Sequence, residues 1–120
     1  MTRGIISLED SKVYESLPVP FCVFWIRGDT YDLLAVSDGF LEAFRAARED
    51  FYGSCPELFR QHIHPEDYSQ FRFDLTAACL DPRGRYEAVY RVRARENGLY
   101  RWVSGKGRVK RQEDGSYILY

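Results

Sequence analysis

Residues 85–110 constrain the fold more than any other stretch, because they have the pattern of a long β-hairpin. Asn97-Gly98, near the middle, is a dipeptide favoured in two-residue type I′ turns, where both turn residues need positive φ. A turn at this dipeptide would pair Tyr86 with Val109, Ala88 with Gly107, Tyr90 with Gly105 and Val92 with Val103. These residues form one apolar face, and a one-residue slip would turn that face outward.

The opposite face of the hairpin is predicted to be basic and aromatic. The same register pairs Glu87 with Arg108, Arg93 with Trp102 and Arg95 with Tyr100, as one ion pair and two cation–π pairs. Basic side chains beside Trp102 and Tyr100 could stack nucleobases. The whole chain has a net charge of −1, however, so we favour a face that meets solvent or a protein partner. Nucleic acid is the less favoured partner.

Length and composition predict a single globular domain. The chain has 120 residues, of which 45% are hydrophobic, and this is enough for one buried core. Charge is uneven: residues 1–82 contain 14 acidic and 7 basic residues, whereas residues 83–111 contain 10 basic and 2 acidic residues. The three cysteines lack metal-binding spacing, which suggests reduced thiols in the cytoplasm. The sequence has no apolar run long enough for a membrane span.

Hydrophobic periodicity and turn signals give the order of the elements. We expect a helix over 4–17, strands over 20–27 and 31–36, a helix over 37–46, an irregular segment over 48–63, a helix over 65–80, the hairpin and a last strand over 116–120. The first strand is apolar on both faces, so both faces need a cover. The N-terminal helix or a second subunit is the expected outer cover. The result is an α+β fold with an antiparallel sheet.

Residue types that often carry chemistry have structural explanations in this sequence. His62 and His64 have no partners at metal-ligand spacing, and His64 lies at a predicted helix start. Cys55 has no neighbouring base, so we expect an unreactive thiol. Glu66 and Asp67 complement the positive end of the helix dipole. We therefore expect no catalytic residues, no metal and no enzymatic activity.

Three stretches resemble the PAS family with its PAC segment. VSDGFLEAF resembles the passage from the second strand into a capped helix, with Ser37-Asp38 where many PAS domains have asparagine. IHPEDYSQF resembles the family's His-Pro-Asp-Asp start of the long helix. YRVRARENGLYRWVSGKGRV resembles its hairpin, in which Tyr-Arg is followed by Gly-x-Tyr-x-Trp-Val. The resemblance covers roughly residues 14–120.

The resemblance implies a five-stranded antiparallel sheet of order 2-1-5-4-3, with helices packed on one face and an N-terminal helix. It implies a flanking helix within residues 1–17 and one PAS/PAC domain over 18–120, as a fragment of a longer protein. It also implies a cytoplasmic sensory and dimerisation module of a bacterial signal-transduction protein, a homodimer that acts on a C-terminal effector. ESLPVPFCVF and AVSDGF look most like modules that precede GGDEF-type diguanylate cyclases, and histidine kinases are the next choice.

The resemblance further implies a pocket between the sheet and the helices. Its candidate lining is Phe40, Phe44, Phe71, Leu75, Tyr86, Tyr90 and Val103. The same side chains suit a packed core, so a sensor with a defined small-molecule ligand is the alternative reading. The candidate dimer or partner face is Phe21, Val23, Trp25, Tyr100 and Trp102. Haem and flavin are not expected, because the helix over 65–80 has no histidine and Cys55 is not in the flavin-thiol motif.

Overall fold

A computed structural model describes residues 8–28, 30–51, 61–94 and 98–120. The elements are α1 (Leu8–Glu15), β1 (Cys22–Arg27), β2 (Thr30–Val36), α2 (Asp38–Phe44), a 3-10 turn (Arg48–Asp50), α3 (Pro65–Leu80), β3 (Arg85–Val92), β4 (Arg101–Arg111) and β5 (Tyr117–Leu119). The strands form one sheet of order β2-β1-β5-β4-β3, and all neighbours are antiparallel. This confirms the predicted α+β fold and its strand order. Residues 1–7 and Cys55 lie outside the described residues.

Helix α3 begins where the sequence predicts. Pro65 occupies the first turn, and the backbone N–H of Glu66 donates to Nδ1 of His64 over 3.1 Å, so the histidine caps the helix. Its buried side is formed by Phe71, Leu75 and Ala78, which lie against the inner face of the sheet. The inner core therefore lies between α3, α2 and the sheet. None of the helices in the described ranges is long and apolar enough to cross a bilayer.

The hairpin register differs from the prediction by two residues. The observed pairs are Tyr86 with Gly107, Ala88 with Gly105, Tyr90 with Val103 and Val92 with Arg101. A two-residue shift leaves every side chain on its predicted face, because side chains alternate with a period of two. The last strand pair is Val92 with Arg101, and the predicted turn at Asn97-Gly98 lies partly outside the described residues.

Contacts at the far end of the hairpin hold this register. The backbone N–H of Val109 donates to the carbonyl of Gly84 over 2.7 Å, and the N–H of Arg108 donates to the carbonyl of Tyr120 over 3.1 Å. A Cβ atom on Gly107 would overlap the same Tyr120 carbonyl, so β5 leaves no space for a side chain there. Neighbouring strands therefore fix a register that the turn dipeptide alone does not specify.

The shift changes the partners on the outer face of the hairpin. Arg91, not Arg93, is opposite Trp102, and its guanidinium lies 4.9 Å from the centre of the indole ring. Arg93 lies 4.7 Å from the ring of Tyr100. Glu87 is opposite Lys106 instead of Arg108. The predicted partners of Trp102 and Glu87 are therefore wrong, whereas the predicted Arg95–Tyr100 pair lies outside the described residues because Arg95 does.

Helix α1 supplies part of the cover that the outer face of β1 needs. The ring of Tyr14 lies 5.5 Å from Phe21 and 5.9 Å from Tyr120. Beneath these rings, the outer side chains of three strands are fully buried, namely Val23, Ala35 and Ile118. The outer face thus has a small core of its own, separate from the inner one.

Candidate functional site

The predicted pocket residues come together in the inner core. Helix α2 contributes Phe40 and Phe44, α3 contributes Phe71 and Leu75, and the hairpin contributes Tyr86, Tyr90 and Val103. Five of the seven are buried, whereas Phe44 and Val103 are half-buried. The rings of Phe71 and Tyr90 are 4.7 Å apart, and those of Phe40 and Phe44 are 4.8 Å apart. Side chains therefore fill much of the space between the helices and the sheet.

This core also contains polar groups that are expensive to bury. Burial raises the pKa of the Tyr86 and Tyr90 hydroxyls and raises the pKa of Cys22 to about 12, so all three are neutral. The Tyr86 hydroxyl is buried, and the hydroxyl of Tyr90 faces it without meeting the geometry of a hydrogen bond. A buried hydroxyl without a partner is uncommon, and a bound water or ligand often explains one. The Tyr86 hydroxyl could therefore donate a hydrogen bond to a small polar ligand in the core.

An ion pair joins α3 to the hairpin. The backbone N–H and Nε of Arg91 both donate to one oxygen of Asp67, over 2.8 and 2.9 Å, and a second guanidinium nitrogen donates to the other oxygen. These hydrogen bonds hold the pKa of the Asp67 carboxyl below its usual range. Glu66 adds a weaker contact of 3.3 Å. The first-turn carboxylates therefore position the hairpin, a role that sequence reasoning missed.

Both histidines have structural roles. Nδ1 of His62 lies 2.8 Å from the carbonyl of Arg93, and the His62 ring packs 4.8 Å from the ring of Phe51. His64 caps α3 and lies 4.7 Å from the ring of Tyr100. Within the described part of the chain, no three His, Cys, Asp or Glu side chains are grouped closely enough to hold a metal.

Ser37 connects α2 to the segment between α1 and β1. It is fully buried, and it caps α2 as predicted, since its Oγ accepts from the N–H of Phe40 over 3.1 Å. The same oxygen accepts from the N–H of Phe21 over 2.9 Å and donates to the carbonyl of Val19 over 2.6 Å. A Cβ atom on Gly39 would overlap the backbone of Pro18, so the two segments are in close contact.

Arg48 links the end of α1 to the junction between β2 and α2. One guanidinium nitrogen donates to the carbonyl of Val36 over 2.9 Å, to the carbonyl of Glu15 over 3.1 Å and to the carboxylate of Asp38 over 2.9 Å. A planar guanidinium with five donors suits such a junction. Sequence reasoning identified the Ser37 cap but not these long-range links, because no local pattern marks them.

Comparison with known proteins identifies the fold. A family model described as PAS fold matches residues 33–120. This chain is a member of the PAS family. No curated protein matches the sequence, whereas 22 chains of solved structures are similar. One is described as an RNA-binding light-oxygen-voltage receptor; it has a TM-score of 0.56 and 17% identity over 100% of this chain and 34% of its own. This chain thus spans about a third of that receptor, and the likeness shows the fold alone.

The outer face of this PAS domain has two different halves. We call the first the aromatic half: the buried residues Val23, Ala35 and Ile118 with the half-buried Tyr14, Phe21, Trp25, Leu34 and Tyr120 around them. We call the second the basic half: the outward side chains of β3 and β4, from Arg85 to Arg91 and from Trp102 to Lys110. The five predicted face residues are therefore divided. Phe21, Val23 and Trp25 belong to the aromatic half, Trp102 belongs to the basic half, and Tyr100 lies beside the start of α3.

Proposed function

We propose that this PAS domain is a sensory and dimerisation module of a bacterial signalling protein, without catalytic activity of its own. It acts in the cytoplasm and passes a conformational bias to an effector domain on its C-terminal side. By resemblance, a diguanylate cyclase is the leading choice for that effector. The observation that best supports this proposal is the aromatic half of the outer face, where half-buried rings surround a small buried core.

The aromatic half has the composition of a protein interface. Interfaces are enriched in tyrosine, tryptophan and phenylalanine around an apolar centre. The ring of Tyr14 contacts those of Phe21 and Tyr120, and all three residues are only half-buried in the single chain. A second copy placed on this surface would bury the exposed parts of these rings. The interface would be isologous, with the same surface on both subunits.

Strand β5 is well placed to carry a signal out of the core. It lies between β1 and β4, with Leu119 in the inner core and Ile118 in the outer one. The backbone N–H of Tyr120 donates to the carbonyl of Arg108 over 2.9 Å, so the strand direction continues past Leu119. A rearrangement of the core side chains would therefore move β5 relative to the outer face.

Sedimentation velocity over a range of concentrations tests the dimer. We expect the intact chain to dimerise, the Phe21→Lys variant to become monomeric and the matched Trp102→Lys variant, on the basic half, to remain dimeric. Circular dichroism confirms that each variant is folded. A wild-type chain that stays monomeric at high concentration would overturn the dimerisation part of the proposal.

A ligand-binding sensor is a second candidate, and the buried Tyr86 hydroxyl, which forms no hydrogen bond of good geometry although Tyr90 faces it, is the observation that favours it. Native mass spectrometry and an absorption spectrum of protein isolated from its own host would reveal a bound molecule. We expect Tyr86→Phe to lose that molecule, and circular dichroism confirms that the variant is folded. If wild-type protein has only the mass of the chain and no absorption beyond that of its aromatic residues, this candidate is wrong.

A further inference from the structure

We propose that the outward row of β4 binds single-stranded nucleic acid. The row consists of alternate residues of β4, namely Trp102, Ser104, Lys106, Arg108 and Lys110, and all five are exposed. It contains three successive cations and no acidic residue. The site goes beyond the sensory role: its row lies on the basic half, although Arg108 and Lys110 border the aromatic half opposite Tyr120 and Ile118.

The charges of this row are poorly explained by folding. Arg108 is directly opposite Arg85 on β3, and like charges at directly opposed positions of a sheet are destabilising. Arg85 has an ion pair with Asp81 at 3.6 Å, and Lys106 has one with Glu87 at 3.9 Å. Arg108 and Lys110 form no ion pair with any residue in the described ranges. Two cations at the end of the row are thus left uncompensated.

The geometry of the row suits an extended polyanion. Alternate residues of a strand lie about 6.7 Å apart, so the side chains from Trp102 to Lys110 span about 27 Å. An extended single strand can place successive phosphates along such a row. The cations would then replace counterions, which is the main source of affinity for nucleic acid backbones.

Trp102 gives the row an aromatic end for stacking. Its side chain is 66% exposed, so the ring is available to a ligand. The Arg91 guanidinium lies over the ring at 4.9 Å, and Asp67 holds that guanidinium at 2.9 Å. The indole is therefore held in place before a ligand arrives, which lowers the entropy cost of binding. Exposed aromatic rings beside a cationic track are the means by which proteins bind single strands without sequence preference.

A protein partner fits this half less well. Stable protein interfaces have an apolar centre with few charges. Of the outward residues of β3 and β4 in the basic half, only Val89 and Trp102 are large and apolar, and charged residues surround both. Duplex nucleic acid also fits less well, because its bases are already stacked and paired.

Fluorescence anisotropy with a fluorescein-labelled 20-nucleotide oligo(dT) tests the proposal on the intact chain. We expect saturable binding at low salt that weakens with added salt. Lys106→Gln/Arg108→Gln should weaken binding at least tenfold. It should also reduce the slope of log affinity against log salt concentration by about 1.4, because each of the two lost phosphate contacts contributes about 0.7. The matched control is Arg101→Gln/Arg111→Gln, which removes the same charge from the same strand outside the row and should change affinity by less than about threefold.

Trp102→Ala separates stacking from charge. We expect about tenfold weaker binding with an unchanged salt slope, since the phosphate contacts remain. A labelled 20-base-pair duplex should bind at least tenfold more weakly than the single strand. Absence of binding at low salt, an equal loss in the control double variant, or no effect of Trp102→Ala would overturn the proposal. Tighter binding to anionic lipid vesicles or to poly-glutamate than to oligo(dT) would also overturn it, in favour of a membrane or an acidic protein. Circular dichroism checks folding throughout.

Discussion

Trp25 and Trp102 lie on the same face of one sheet, and each has an arginine over its ring. The guanidinium of Arg27 is 4.0 Å from the centre of the Trp25 ring, and that of Arg91 is 4.9 Å from the centre of the Trp102 ring. Trp25 is half-buried, and its indole N–H donates to Ser116 over 3.0 Å. Trp102 is exposed. Similar local contacts thus produce a packed surface in one half and an open one in the other.

The difference arises from the elements that pack over each half of the outer face. Tyr14 of helix α1 and Phe21 pack against the outer side chains of β1, β2 and β5, whereas nothing in the described part of the chain covers Val89 and Trp102 on the outer side of β3 and β4. An arginine over a ring therefore does not show whether that ring is buried. Neighbouring elements determine this.

The largest expected effect compares the two tryptophans directly. We expect Trp25→Ala to lower the free energy of unfolding by about 3 kcal/mol, because it removes packing and leaves the buried Ser116 without its donor. Trp102→Ala should cost less than about 1 kcal/mol. Urea unfolding of both variants measures the contrast. A cost of several kcal/mol for Trp102 would mean that the basic half is covered.

Two glycines on the inward side of β4 test the register. A Cβ atom on Gly107 would overlap the Tyr120 carbonyl, whereas one on Gly105 would meet only Cε2 of Tyr86 at 3.6 Å. We expect Gly107→Ala to cost about 2 kcal/mol and Gly105→Ala to change stability by less than about 0.5 kcal/mol. Thermal or urea unfolding checks both. Equal costs would contradict the observed pairing of β4 with β5.

The Asp67–Arg91 pair gives the basic half a pH dependence. The pKa of Asp67 is lower in the folded state, so the pair stabilises the fold above the unfolded pKa of about 3.9 and loses its effect as the pH falls through the folded value. We therefore expect Asp67→Asn to destabilise the chain at pH 7 and to resemble the wild type near pH 2. Urea unfolding across this range tests the sign. A difference that grows on acidification would refute it.

The smallest expected effect concerns Glu87, the acidic residue on the outward side of β3. Its contact with Lys106 is 3.9 Å long and both side chains are largely exposed, so Glu87→Gln should change stability by less than about 0.5 kcal/mol. Removing this charge should nevertheless tighten oligo(dT) binding about twofold, since the row becomes more positive. Unchanged or weaker binding would show that the charge of Glu87 does not oppose binding of oligo(dT) to the row.

Local patterns were sufficient for the elements that they specify. The cap at Ser37 and the start of α3 at Pro65 are confirmed, because each depends on neighbouring residues. The order of the sheet was predicted from the resemblance to PAS domains and is also confirmed.

Long-range relations were harder to predict. Alternation fixes which face a side chain occupies but cannot distinguish registers that differ by two residues, so the pairs of Trp102 and Glu87 were wrong. Asp67 and Arg91 are 24 residues apart, and the links of Arg48 to Glu15 and Val36 depend on packing between elements. No sequence spacing encodes such contacts.

Acrylamide quenching of two single-tryptophan variants tests the division of the outer face most directly. Trp25→Phe reports on Trp102, and Trp102→Phe reports on Trp25. We expect strong quenching of Trp102 at every protein concentration and weak quenching of Trp25, which becomes weaker still as dimers form. Equal quenching of the two, or protection of Trp102 as the concentration rises, would contradict it.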